Sequence, residues 1–313
     1  MRKKILAVVL SLALSLTVFA CGDSDSGTSA DVSSDVSVSE SGSAESENTD
    51  AEVSDETDSD ITFEGQTVMD NDEMSIEITG IETSSLWGTF TLDFELENKS
   101  DSATYTASSI YVAVNGLMNS DAYLVTEVTA GNKALDSMEI YTSTLSDYGI
   151  DQITDILMAI SVYDSDTWET VAEETVHVYP YGEENASVYE RASQDSDEVV
   201  IDDDSMTLTI IGYEPEGDYG YTVNAYVVNK TDASVMFSLE DASVNGYMCD
   251  PYWAADALIG TGMYAEFAWD DSYLEEIGIT DPGNEIESIE FTFVVYDSGT
   301  YETYSSQTVT LNP

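Results

Sequence analysis

Few residues in this sequence have the type and spacing that chemistry requires. Clustered carboxylates recur as Asp70-Asn71-Asp72 and Asp202-Asp203-Asp204, each just ahead of an alternating apolar stretch. Carboxylate oxygens are hard ligands suited to Ca²⁺. Asp70, Asp72, Asp202 and Asp204 are therefore the candidate metal ligands, with Ca²⁺ as the ion. The glycine that an EF-hand loop needs is replaced by Ser75 or Thr207, and the competing expectation is a solvated turn that discourages edge-to-edge pairing. His177 is the only histidine, within Val176-His177-Val178, and this places it on the outward face of a terminal strand without the partners a general base needs. Cys249 lies beside Asp250, whose charge raises a thiol pKa and works against nucleophilic use. Carboxylate pairs are too abundant for any one to mark a glycosidase site. No catalytic or cofactor-binding residue is assigned, and an enzyme is not expected. The remaining candidates are aromatic: Tyr247, Tyr252, Trp253 and Trp269, with Tyr264 nearby. Exposed Trp and Tyr offer flat faces to sugar rings or protein partners. The same rings would equally fill and cap a core.

The elements that must position these residues read as strands. Phe90 to Asn98 alternates apolar and polar residues, with Phe90, Leu92, Phe94 and Leu96 on one face, the pattern of a half-buried antiparallel strand. Ile156 to Asp164 repeats it with a more apolar outer face. Helical periodicity is confined to single turns near Leu145–Gly149 and Tyr273–Gly278.

The sequence also repeats. Asn98-Lys99-Ser100-Asp101 returns as Asn229-Lys230-Thr231-Asp232, and Val114-Asn115-Gly116-Leu117-Met118 as Val244-Asn245-Gly246-Tyr247-Met248. Val162-Tyr163-Asp164-Ser165 returns as Val295-Tyr296-Asp297-Ser298. The offset stays near ~130 residues, as for two tandem copies of one unit. Inward positions agree as well: Tyr221, Val223, Ala225 and Val227 answer the first strand above, and Ile289, Phe291, Phe293 and Val295 the second. A one-residue slip would turn each set into water, so the register is well specified.

Each copy carries about seven strands in about 115 residues, with Asn-Gly and Asn-Lys-Ser/Thr-Asp turns between them, which predicts an all-β, immunoglobulin-like sandwich. The expected organisation is a signal segment over 1–20, a disordered acidic linker over 21–60, one sandwich over 61–180, an inter-domain linker over 181–198 and a second sandwich over 199–313. On the Asn-Lys-Thr-Asp turn, the Val-Asn-Gly-Tyr-Met stretch followed by Asp250-Pro251, the late Gly278-Ile279 and the Tyr296-Asp297-Ser298 end, the chain resembles immunoglobulin-like domains of unknown function in surface lipoproteins of Gram-positive bacteria. The first copy departs at Ser120-Asp121. The resemblance implies fold and location only.

The N-terminus supplies an address. Arg2, Lys3 and Lys4 precede a short apolar run, the layout of a secretory signal. Val18-Phe19-Ala20-Cys21 resembles a bacterial lipobox, in which Cys21 is lipidated and begins the mature chain. Attachment to the outer face of the membrane would then come from acyl chains. Removing the signal leaves four basic residues against 63 acids, a formal charge of about −59. Such a chain lacks the basic footprint that nucleic acid requires. Cys249 is left without a partner, as in an exported protein that does not rely on disulfides. The expected function is a non-catalytic surface lipoprotein that binds a protein or acts as a spacer. The alternatives are glycan binding through the second copy's Tyr/Trp cluster, and a calcium-stabilised stalk.

Overall fold

The computed structural model describes residues 61–313; the signal segment, Cys21 and the acidic linker lie outside the described residues. The first half holds β1 (Gln66–Asp70), β2 (Met74–Ser84), β3 (Thr89–Asn98), β4 (Tyr105–Val114), β5 (Leu117–Met118), β6 (Leu124–Val128), β7 (Lys133–Tyr141), β8 (Ile156–Asp164) and β9 (Thr170–Val178). The second half repeats the series as β10 (Glu198–Asp202), β11 (Met206–Gly217), β12 (Gly220–Asn229), β13 (Val235–Val244), β14 (Tyr247–Met248), β15 (Ala254–Ala257), β16 (Gly262–Trp269), β17 (Ile289–Asp297) and β18 (Thr303–Leu311). Helix is limited to short pieces, α1 (Thr142–Asp147), α2 (Asp271–Glu276) and α3 (Pro282–Glu285), with a 3₁₀ turn at Glu183–Asn185. The first two coincide with the single turns predicted from the sequence. The fold is all-β.

Each half has nine strands rather than about seven, and the two-residue β5 and β14 show why. Asn115 and Gly116 adopt φ of 49° and 80°, and Asn245 and Gly246 adopt 51° and 79°. Both positions of each turn are left-handed, as a tight hairpin turn demands. Each asparagine also staples the loop that leads into a core strand. Asn115 Oδ1 accepts from the Thr154 and Asp155 amides while its Nδ2 donates to Gln152 O. Asn245 does the same with Glu287, Ser288 and Glu285 O.

The predicted faces are the buried ones. Phe90, Leu92, Phe94 and Leu96 join Ile156, Met158, Ile160 and Val162 in one apolar core, and Tyr221, Val223, Ala225 and Val227 join Ile289, Phe291, Phe293 and Val295 in another. Asn98 and Asn229 are almost fully buried and hold the turn after their strands. Asn98 Nδ2 donates to Ala103 O and Val128 O, and Asn229 Nδ2 to Ala233 O and Leu258 O. Buried amides are tolerated because their donors are satisfied.

Three sheets result: four strands in the order β1-β2-β3-β7, five with β14-β13-β17-β18 and β15 on β13, and nine in the order β10-β11-β12-β16-β5-β4-β8-β9 with β6 on β4. The nine-stranded sheet runs through both halves. Its strands pair antiparallel except at β16 and β5, where Gly262 lies opposite Leu117 in parallel and its amide donates to Gly116 O at 2.8 Å. All described residues fall within one compact unit.

Residues 181–198, predicted as a linker, are tied down. Ser187 N donates to Thr154 Oγ1, and Tyr189 N to Asn115 O at 2.6 Å. Arg191 pairs with Asp197 through two hydrogen bonds of 2.7 and 2.9 Å. Tyr189 then joins Tyr148, Tyr226 and Tyr264 in an aromatic wall over the junction. Tyr148 and Tyr264 stack at 4.5 Å, Tyr226 lies 5.1 Å from Tyr264, and the Tyr189 and Tyr264 hydroxyls meet at 2.7 Å. A third apolar patch, Ala113, Leu157 and Leu258, seals the junction and accounts for the apolar outer face of β8.

Gly262 makes the close approach possible, since a Cβ there would fall 2.1 Å from the Tyr226 hydroxyl. Tyr226 is hemmed in by its aromatic neighbours and cannot swing aside freely. Gly262→Ala is therefore expected to lower unfolding stability by about 1–3 kcal/mol, read from the denaturant midpoint. Gly212→Ala, whose Cβ would meet nothing within 4 Å, is the matched control and is expected to be neutral or slightly stabilising.

Candidate functional site

The acidic turns hold lysines. Lys99 Nζ donates to Asp70 Oδ1 and to Asn71 O at 2.8 Å; Lys230 Nζ donates to Asp202 Oδ1 and to Asp203 O at 3.0 Å. The middle residue of each turn caps the backbone: Asn71 Oδ1 accepts from Glu73 N and Met74 N, and Asp203 Oδ1 from Ser205 N and Met206 N. Asp203 Oδ2 also accepts from Ser305 and Gln307 of β18. Burial pushes its carboxyl up, but these hydrogen bonds outweigh burial and hold its pKa below the usual range. Asp72 and Asp204 point to solvent. Among the described residues no three His, Cys, Asp or Glu side chains gather as a metal-binding group. An ammonium sits where the sequence suggested a cation, and the repeated Asn-Lys motif is what delivers it.

The predicted aromatic cluster divides. Trp269 is 1% exposed, inside the second core, and its Nε1 donates to Cys249 O at 2.8 Å. It is therefore not a surface platform. Ala265, Phe267 and Trp269 share the inward face of β16, so the alternation of the strand buries the ring. Trp253 packs edge-on against Phe267 at 4.7 Å and beside Phe293. Tyr264 belongs to the junction. Only Tyr247 and Tyr252 of the set face solvent, at 59% and 82% exposure. Tyr252 has φ of 52°, and Asp250 Oδ1 accepts from its amide.

His177 lies exposed on β9, its Nδ1 2.8 Å from Asp155 Oδ1 and its ring stacked on Tyr179. Cys249 is buried, and burial, then the Asp250 charge, pushes its thiol pKa up. The raised pKa works against nucleophilic use of the thiol, whereas His177, expected from the sequence to lack a partner, has Asp155 on its Nδ1.

Other exposed rings recur in matching places at the hairpin tips. Trp87 lies between β2 and β3, and Tyr219 between β11 and β12; each is 76% exposed. Trp168 and Tyr301 cap the β8–β9 and β17–β18 turns at φ of 64° and 59°, their amides donating to Asp164 O and Asp297 O. The signal for this second pair was in the repeat: Asp164-Ser165-Asp166-Thr167-Trp168 answers Asp297-Ser298-Gly299-Thr300-Tyr301, with an aromatic at the same offset.

Between the halves lies a cleft of about 540 Å³. One wall comes from β4, β8 and β9 of the first half, and the other from β13, β15 and the β17–β18 turn of the second. Ile110, Ala159 and Met236 supply apolar surface above the buried Leu258, Tyr111, Tyr163 and Tyr301 supply rings, and Glu173, Glu174 and Asp256 supply carboxylates. Trp168 stacks on Tyr163 at 5.4 Å. Tyr111 Oη donates to Asp256 Oδ2 across the cleft at 2.9 Å. Burial raises the Asp256 pKa against that hydrogen bond, and burial with the neighbouring carboxylate pushes Tyr111 up to about 12. Each Lys and Arg of the described residues is engaged elsewhere: Lys99 by Asp70, Lys133 by Glu95 and Glu97, Arg191 by Asp197 and Lys230 by Asp202.

No protein-family model matches the chain. No curated protein matches it either. Among solved structures it is similar to the transglutaminase of red sea bream, at 9% identity and a TM-score of 0.21. That similarity covers 80% of this chain and 31% of the transglutaminase, so the chain spans about a third of that protein's length.

The raised Asp256 pKa fixes the sign of a pH effect. The folded state binds the Asp256 proton more tightly than the unfolded chain does, so ionisation at neutral pH costs stability that is absent below the ordinary carboxyl pKa. Asp256→Asn keeps an acceptor for Tyr111 and removes the charge. It is expected to raise the melting temperature at pH 7, with the gain vanishing as pH falls below the reference value of 3.8. Melting curves of both proteins across that range check this.

Proposed function

We propose that this chain is a non-catalytic surface lipoprotein, held by a lipidated Cys21 on the outer face of a bacterial membrane. Its two tandem immunoglobulin-like domains present a binding surface to another protein. The observation that carries the reading is the pair Trp168 and Tyr301, two large rings set at matching hairpin tips with most of their surface exposed. A ring held in the left-handed region at a tip gains no core packing, and exposed Trp and Tyr are the side chains that dominate protein interfaces. Strong net acidity keeps copies of the chain apart and disfavours nucleic acid. The Cys249 thiol is buried with its pKa pushed up, which supports a binding role over nucleophilic catalysis.

Glycan binding is the second reading, favoured by Tyr252 and Tyr247 at one end of the second half. Trp269 and Trp253 no longer contribute to that surface, which leaves two rings in place of four. A calcium-stabilised stalk is third, with lysines already in the acidic turns.

Photo-cross-linking separates the first two. With benzoylphenylalanine in place of Trp168 or Tyr301, irradiation of intact cells is expected to give a discrete protein adduct, and the same residue at Glu216 none. Absence of protein adducts at positions 168 and 301, with a glycan adduct at 252, would overturn protein binding in favour of the sugar reading.

A further inference from the structure

We infer that the cleft between the two halves is the docking site for a lysine- or arginine-bearing segment of the partner, an assignment that rests on the protein-binding reading above. The volume of about 540 Å³ suits one or two long side chains. Ile110, Met236 and Ala159 offer apolar surface to a side-chain stem, which Lys and Arg bury while the charged head stays polar. Tyr111, Tyr163 and Tyr301 offer ring faces to that head. Glu173, Glu174 and Asp256 supply the opposite charge.

Most carboxylates of so acidic a chain lack a cation of their own, and what sets this cleft apart is that one of them, Asp256, is enclosed. Asp70, Asp202, Asp197, Glu95 and Glu97 each have a cation from the chain itself. The three carboxylates of the cleft have none, since all four Lys and Arg of the described residues are engaged elsewhere. Asp256 is the most enclosed of the three, with the Tyr111 hydroxyl as its hydrogen-bond donor. A buried carboxylate gains most from an incoming cation, because its attraction is least screened there.

On the lipoprotein reading above, in which the mature chain begins at Cys21, the acidic segment ahead of the folded part offers no cation of its own. Gly22 to Asp60 contains no Lys or Arg at all. A second copy, at a formal charge of about −59, would be repelled. The occupant must be foreign and basic.

The test is a titration of the isotope-labelled mature chain with acetyl-Lys-Lys-Lys-amide in 0.15 M NaCl, followed by amide shifts. Saturable shifts are expected at Ile110, Tyr111, Leu258 and Tyr301. Glu173→Gln, Glu174→Gln and Asp256→Asn together are expected to weaken binding by about tenfold or more, and Tyr301→Ala, which changes no charge, by about threefold. Glu214→Gln, Glu216→Gln and Asp218→Asn together remove equal charge outside the cleft and are expected to leave affinity within about twofold.

Shifts spread over the acidic surface, or equal losses in the two triple variants, would overturn the cleft as a site. Spermidine binding the same residues as tightly as the peptide would overturn a protein segment as the occupant. A protein adduct at Trp168 or Tyr301 with no peptide shifts in the cleft would sink this inference alone and leave the protein-binding reading standing.

Discussion

The hydrogen bond from Gly262 to Gly116 is the contact on which the arrangement of the two halves depends. Because β16 lies against β5 there, strands of both halves belong to one nine-stranded sheet. A single bridge would be weak, but it is covered on one side by four tyrosines and on the other by Leu157, Leu258 and Ala113. Burial pushes Tyr226 and Tyr264 up to about 12, the Tyr264 hydroxyl pairs with that of Tyr189, and the Arg191 guanidinium lies 5.9 Å from the centre of the Tyr226 ring. The cleft is a consequence of this junction. Leu258 is buried by the first half, and Asp256 two residues before it meets Tyr111 on the far wall.

Much of this was legible because tandem copies comment on each other. Asn98 with Asn229, and Asn115 with Asn245, stood out as paired letters, and each pair makes the same hydrogen bonds in its own half. The inward faces of β3, β8, β12 and β17 followed from alternation alone, since only one register hides their apolar side chains. Positions where the copies differ in environment were harder. Leu157 and Ala159 face outward on β8, and their apolar character makes sense only once the second half lies against them. Leu258 is a turn residue in its own half and becomes core through the other.

The aromatic residues show the limit of reading by proximity. Tyr247, Tyr252, Trp253 and Trp269 are close in sequence, but closeness says nothing about which face a ring takes. Trp269 follows Ala265 and Phe267 at intervals of two, which sends it inward; Tyr252 sits after Pro251 in a left-handed turn, which sends it out. Trp168 and Tyr301 lay just beyond the repeated Tyr-Asp-Ser. The acidic turns were read as cation sites by charge alone, and the lysines that occupy them were 29 and 28 residues away in sequence, inside a motif noted for its turn geometry. Pairing across a sheet is a long-range event that composition does not encode.

Cleft, junction and binding surface are one account only if the two halves move as one body. Residual dipolar couplings of the mature chain test this directly, because each half reports its own alignment in a weakly ordered medium. One alignment tensor fitting the amides of 66–178 and of 198–311 together is the result the account predicts, with Gly262→Ala degrading the joint fit. Two tensors of different magnitude or orientation in the unaltered protein would mean that the halves reorient independently, and would contradict it.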